Sequence, residues 1–194
     1  MLARAIALCF LALCPGGAAA FDLNLRTNAL ESELRGASLV AALEADAPPQ
    51  DVIAAAQADY ARLVGLLYDR GYFAPVLSIL IDNREAAQIS PLRPPFQVGR
   101  VEIVVQTGAP FVFGTARLAP LPANSTPPSG FATGQPASTS VMRQSVEAGI
   151  SDWRADGHAK AKLHSQTITA RHKAAQLDAD LVLAPGPLLR FGNL

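Results

Sequence analysis

The chain has 194 residues, 50% hydrophobic and 16% charged, and its 16 basic and 16 acidic side chains cancel. A balanced charge excludes the net basic surface that a nucleic-acid backbone requires, so no nucleic-acid partner is expected. The length suits one ordinary domain or two small ones.

Residues 1–20 have the form of a cleavable secretory signal, with Arg4 as the positive end, Ala5 to Leu13 as the apolar run and Ala18-Ala19-Ala20 as the cleavage site. Pro15-Gly16-Gly17 stops the run well short of the ~20 apolar residues that a membrane span needs. Cleavage before Phe21 removes both cysteines, Cys9 and Cys14. A mature chain without thiols has no cysteine nucleophile, no Cys-ligated zinc and no disulfide, and must be held together by apolar burial.

From Phe21 to Leu25 apolar and polar residues alternate, which predicts a short half-buried strand. Asn28 and Glu31 offer a capping box for a helix whose stripe is Leu30, Leu34, Ala37 and Ala41, widened by Ser38 and Leu43. Pro48-Pro49 ends it and opens a second helix, Asp51 to Asp69, with Val52, Ile53, Ala56, Tyr60, Leu63, Val64 and Leu67 on one face and Gly71 as terminator. Pro75 to Ile81 reads as a strand with Leu77, Ile79 and Ile81 on one face, ended by Asp82-Asn83. Residues 84–95 contain Pro91, Pro94 and Pro95 and read as a connection with little regular structure. Val98 to Gln106 is the partner strand, Val101, Ile103 and Val105 facing inward.

A second series follows. Phe111 to Leu118 is its first strand, and Pro120 to Ala137, rich in Pro, Ser, Thr and Gly, reads as a flexible loop. Ser138 or Ser140 caps a helix with Met142, Val146, Gly149, Ile150 and Trp153 on its apolar stripe, Trp153 as core anchor and Gly157 as terminator. Ala159 to His164 alternates, placing Ala161 and Leu163 inward and Lys160, Lys162 and His164 in solvent. Arg171-His172-Lys173 marks a turn. Leu177, Ala179, Leu181 and Leu183 return inward, with Asp178 and Asp180 outside for cross-strand pairing to lysines.

The series repeats. Gly108-Ala109-Pro110-Phe111-Val112-Phe113-Gly114 and Gly186-Pro187-Leu188-Leu189-Arg190-Phe191-Gly192 share the form Gly-x5-Gly with Phe before the second Gly, 78 residues apart (192 − 114). That period is one small domain, too long for a solenoid repeat. The chain therefore divides into modules 21–108 and 109–187, with 188–194 as the start of a third.

Chemistry-bearing residues do not converge. His158 and His164, six positions apart on an extended segment, stand roughly 20 Å from each other, whereas metal ligands share one ion at about 2 Å. With no Gly-x-Ser-x-Gly or Ser-x-x-Lys motif, no glycine-rich phosphate loop, and Asp178 and Asp180 on a wet face, no enzyme activity, metal or cofactor is expected. Lys160, Lys162, Arg171, His172 and Lys173 form the one basic group. Its bland role is a solvated face that discourages edge pairing. Its sharper one is a lipid-facing tip at Arg171, His172 and Lys173, each cation near anionic headgroups contributing roughly 1 kcal/mol.

The repeated order strand, helix, helix, strand, strand behind a signal peptide resembles a pair of POTRA domains. Tyr68-x-x-Gly71-Tyr72, Gly108-x-Pro110-Phe111-x-Phe113-Gly114, Gly157-His158-Ala159, Leu177-Asp178 and Ala184-Pro185-Gly186-Pro187 resemble the TamA-like autotransporter assembly factors in particular. The resemblance implies an α+β fold of two tandem β-α-α-β-β modules, each a three-stranded mixed sheet covered on one face by helices. It further implies a periplasmic location at the inner side of the outer membrane, unfolded outer-membrane or autotransporter strands as substrates, a TamB-like periplasmic partner and a C-terminal β-barrel. The sequence given departs from that pattern in stopping at Leu194, as a fragment or a natural truncation would. If family strand order carries over, substrate strands pair with exposed edges at Val76, Leu77, Ser78, Ile79, Leu80 and Ile81, and at Ala159, Lys160, Ala161, Lys162, Leu163 and His164, through to Ser165. The alternatives are a cell-division or secretin-type assembly module of the same fold, and a small secreted α/β hydrolase or ligand binder, which needs a closed pocket of converging polar groups.

Overall fold

A computed structural model describes residues 20–189. The expected secretory signal, apart from Ala20, and the expected third-module segment beyond Leu189 lie outside the described residues. The first sheet is built from β1 (Asp22–Thr27), β2 (Val76–Ile81), β3 (Arg84–Glu85) and β4 (Arg100–Gln106) in the order β1-β4-β2-β3, with α1 (Glu31–Ala37) and α2 (Pro49–Asp69) between its first two strands. The second sheet holds β5 (Val112–Ala119), β6 (Lys162–Arg171) and β7 (Gln176–Ala184) in the order β5-β7-β6, and α3 (Thr139–Ala155) lies between β5 and β6. In both sheets the first strand runs parallel to its one neighbour, β4 or β7, and every other pairing is antiparallel.

Alternation decides which face is buried. Val101, Ile103 and Val105 of β4 bury against Val52, Ile53, Ala56, Leu63 and Leu67 of α2, while Leu177, Ala179, Leu181 and Leu183 of β7 bury with Phe113, Leu118 and Met142. The two clusters are separate cores.

Several expectations need correcting. The first sheet has a fourth strand, because Asp82 (φ 48°) and Asn83 (φ 66°) make the left-handed two-residue turn that suits a tight hairpin. The connection 84–95 thus begins as β3 and a 3-10 turn, Ala86–Gln88, and buries Ala86 and Ile89. Helix α1 stops at Ala37 instead of running to Leu43, and its cap position is Leu30 in the left-handed region with no side-chain cap. Asn28 instead accepts the Thr107 N–H at 3.1 Å, tying β1 to the end of β4.

The second module has one helix, since irregular chain stands where α1 stands in the first. That chain is not a loose linker. The Phe113 N–H donates to Gln135 O (2.8 Å), Gly134 N–H to Phe113 O (2.7 Å) and Ala137 N–H to Phe111 O (2.9 Å), so residues 134–137 run along the outer side of β5. Phe131 is buried there, edge-on to Phe113 with ring centres 5.1 Å apart. Trp153 is half-buried at the end of the core and donates its indole N–H to Pro120 O at 2.8 Å; Phe113 fills the centre. Strand β6 starts at Lys162, so Ala159, Lys160 and Ala161 precede it, and a bulge falls at His164.

A joint of the same geometry recurs along the chain. Gly71, with φ +86°, accepts the Phe111 N–H on its carbonyl at 2.8 Å. Gly157, with φ +90°, accepts the Leu189 N–H at 3.0 Å, and Phe111 and Leu189 are again 78 positions apart (189 − 111).

Candidate strand-docking site

An unpaired strand border presents N–H and C=O groups to any extended chain, so the site question is which borders are open. In the second sheet the border at β5 is covered by residues 134–137, leaving β6 as the free side among the described residues. Beside β6, between it and α3, lies a cleft of about 360 Å³. Met142, Val146, Leu163, Ile168 and Leu181 give it an apolar floor, with Arg143 among its lining residues. Ile168 is 43% exposed, an uncommon state for an isoleucine on the helix side of a sheet.

The first sheet corrects the expectation at Val76, Leu77, Ser78, Ile79, Leu80 and Ile81. Strand β2 is not an open border, because β3 pairs with Leu80 and Ile81. Its next outward-facing groups are also engaged. The Ile79 N–H donates to Glu85 at 3.2 Å and to the Tyr60 hydroxyl at 3.3 Å, Ser78 Oγ donates to Glu85 at 2.8 Å, and the Tyr60 hydroxyl donates to the Glu85 carboxylate. Only the end at Val76 and Leu77 is left. Border strand β1 carries ion pairs Arg26–Glu102 and Asp22–Arg100 across to β4.

This clamp has a pH signature. Burial, then the hydrogen bond to Glu85, pushes the Tyr60 hydroxyl from 10.0 up to about 12. Burial alone would raise Glu85, but the hydrogen bonds from Tyr60, Ser78 and the Ile79 N–H outweigh it and hold the carboxyl below its usual 4.5. Tyr60 therefore stabilises the fold fully below pH 10.0, a contribution lost as pH climbs through about 12. Glu85 stabilises it above pH 4.5, a contribution lost as pH falls through the lower folded value. Circular-dichroism melts should show falls in both windows, and Tyr60→Phe should shrink the alkaline one. An alkaline fall unchanged by that substitution would remove Tyr60 from the clamp.

The remaining expected site residues are dispersed. Of the basic tip, Arg171 pairs with Asp178 (2.9 Å) and the His172 ring stands edge-on to Phe111 at the joint (5.8 Å), leaving Lys173 exposed without an ion pair among the described residues. Asp180 pairs with Arg117 at 3.3 Å, so arginines and not lysines neutralise the outer aspartates. Lys160, Lys162 and His164 are exposed, and His158 bonds Gly186 O at 2.9 Å. Among the described residues no group of three or more His, Cys, Asp or Glu is placed to hold a metal ion, and no helix is long and apolar enough to cross a membrane. Sequence reading did not single out Gln57, Glu85 or Arg143; Asp82-Asn83, read only as a strand end, was the available sign that the chain turns back.

The architecture defines the class: two POTRA-like modules in series. No family model and no curated protein matches the sequence. Among solved structures the chain is similar to BamA POTRA domains 3–5 of Haemophilus influenzae, with a TM-score of 0.52 and 14% identity over 91% of this chain and 70% of that one. Another similar structure is POTRA 1–2 of the Omp85 periplasmic domain from Anabaena, with a TM-score of 0.45 and 13% identity over 88% and 96%. At such identities the likeness is one of fold.

Proposed function

We propose that this chain is a non-catalytic periplasmic scaffold for outer-membrane protein assembly, taking up extended substrate strands along β6. The observation that carries this reading is the pairing of a free strand border with an apolar cleft on the same strand. Backbone groups of β6 give affinity, and the cleft receives alternate side chains of the guest. Such pairing reads little side-chain identity, which suits a site that meets many nascent barrel strands. The finer assignment, to autotransporter assembly with a TamB-like partner and a barrel, rests on the glycine-based motifs from Tyr68 to Pro187. In this reading the modules span 21–108 and 109–187.

The test is photocrosslinking in the periplasm, with a photoreactive side chain at Ile168 in the cleft and, as control, at Thr115 on the exposed outer face of β5. Adducts with unfolded outer-membrane proteins are expected from position 168 and not from 115. Equal yields from both positions, or none from 168 in a folded exported chain, would overturn the reading.

A further inference from the structure

The first module contains a filled copy of the cleft that the second leaves open. Strand β2 corresponds to β6 and α2 to α3, and the helix terminators Gly71 and Gly157 set an offset of 86 residues (157 − 71) along the helices. In the first sheet the position beyond β2 is taken by residues 84–89, and in the second no described residue pairs beyond β6. The occupying segment pairs through Arg84 and Glu85, then leaves the sheet and seats Ala86 and Ile89 in the core. Gln57 of α2 fixes that departure, its Nε2 donating to Ala86 O at 2.9 Å and Ile89 O at 2.8 Å.

At the 86-residue offset Gln57 corresponds to Arg143 and Tyr60 to Val146, and both counterparts line the open cleft. Arg143 is exposed and has no ion pair among the described residues. Its guanidinium offers five N–H donors in a planar fork. Val146 has no hydroxyl, so the guest needs no counterpart to Glu85 there and can present an apolar side chain.

Resting on the strand-docking reading, we infer that Arg143 is the carbonyl anchor of the open site: it holds the backbone carbonyl oxygens of a guest peptide as Gln57 holds those of Ala86 and Ile89. The guest is an extended segment with small apolar side chains that pairs with β6 and then turns over α3. In the first module the corresponding border, along the Leu80–Ile81 end of β2, is closed by its own chain.

The experiment titrates the ¹⁵N-labelled chain with a synthetic decapeptide of alternating alanine and valine, made soluble by a short polyethylene glycol tail and with both ends blocked, so that backbone carbonyls are the peptide's hydrogen-bond acceptors. Amides of β6 are expected to shift. Arg143→Ala should weaken binding about tenfold, the loss of a hydrogen bond from a charged donor, while Arg143→Gln should stay within about threefold of the parent. Shifts on β6 with unchanged affinity in Arg143→Ala, or equal losses in both variants, would overturn the anchor and leave strand docking intact. Absence of β6 shifts in the parent chain would overturn both.

Discussion

Replacing Asp59 with alanine is expected to cost about 3 kcal/mol or more of folding stability. Asp59 lies fully buried on α2, where its carboxylate accepts from Ser38 Oγ (2.6 Å), the Leu39 N–H (2.7 Å) and the Val40 N–H (3.2 Å). Alanine would leave three donors facing an apolar core, and each unpaired buried donor costs roughly 1–3 kcal/mol. Asp59→Asn keeps one acceptor oxygen and should lose less, whereas Ser38→Ala removes a single donor and should lose about 1 kcal/mol. Urea denaturation measures the series. A midpoint for Asp59→Ala close to that of the parent would show that the carboxylate does not hold the break between the first two helices.

The same carboxylate explains where sequence reading failed. Leu30, Leu34, Ala37 and Ala41 continue at helical spacing, so periodicity alone carries the helix on to Leu43. The chain turns at Ser38 because a side chain 21 positions further on offers the Leu39 and Val40 N–H groups a better partner than another helical turn. Strands fared better: Val101, Ile103 and Val105, and Leu177 to Leu183, bury the face their alternation gives them, a local property of sequence. Segment 134–137 was missed for the opposite reason. Its composition is that of a linker, and only the uncovered side of β5 makes it regular. The docking site was half legible: Leu163 was placed inward correctly, but the length of β6 and the cleft under α3 depend on the register with β7.

Phe73→Ala should separate the two modules energetically. Phe73 belongs to the connection after α2, yet it packs in the second module's core, stacked on Tyr68 (5.1 Å) and tilted against Phe111 (5.7 Å). Gly71 permits this approach, since a Cβ there would stand 2.7 Å from the Ala137 carbonyl oxygen, and Thr139 closes the joint by donating to Asp69. Deleting a buried phenyl ring typically costs about 3–5 kcal/mol, and here the loss falls on coupling as well as on packing. Trp153, the only tryptophan, lies in the second module, so its fluorescence follows that module while far-ultraviolet circular dichroism follows both. The parent should give coincident denaturation curves from the two probes, and Phe73→Ala should give curves that part. Coincident, unshifted curves in the variant would mean that the aromatic joint does not couple the modules. If they part, the orientation of the β6 border relative to the first module is held by Phe73, and the same substitution should broaden the range of positions that crosslink to guests.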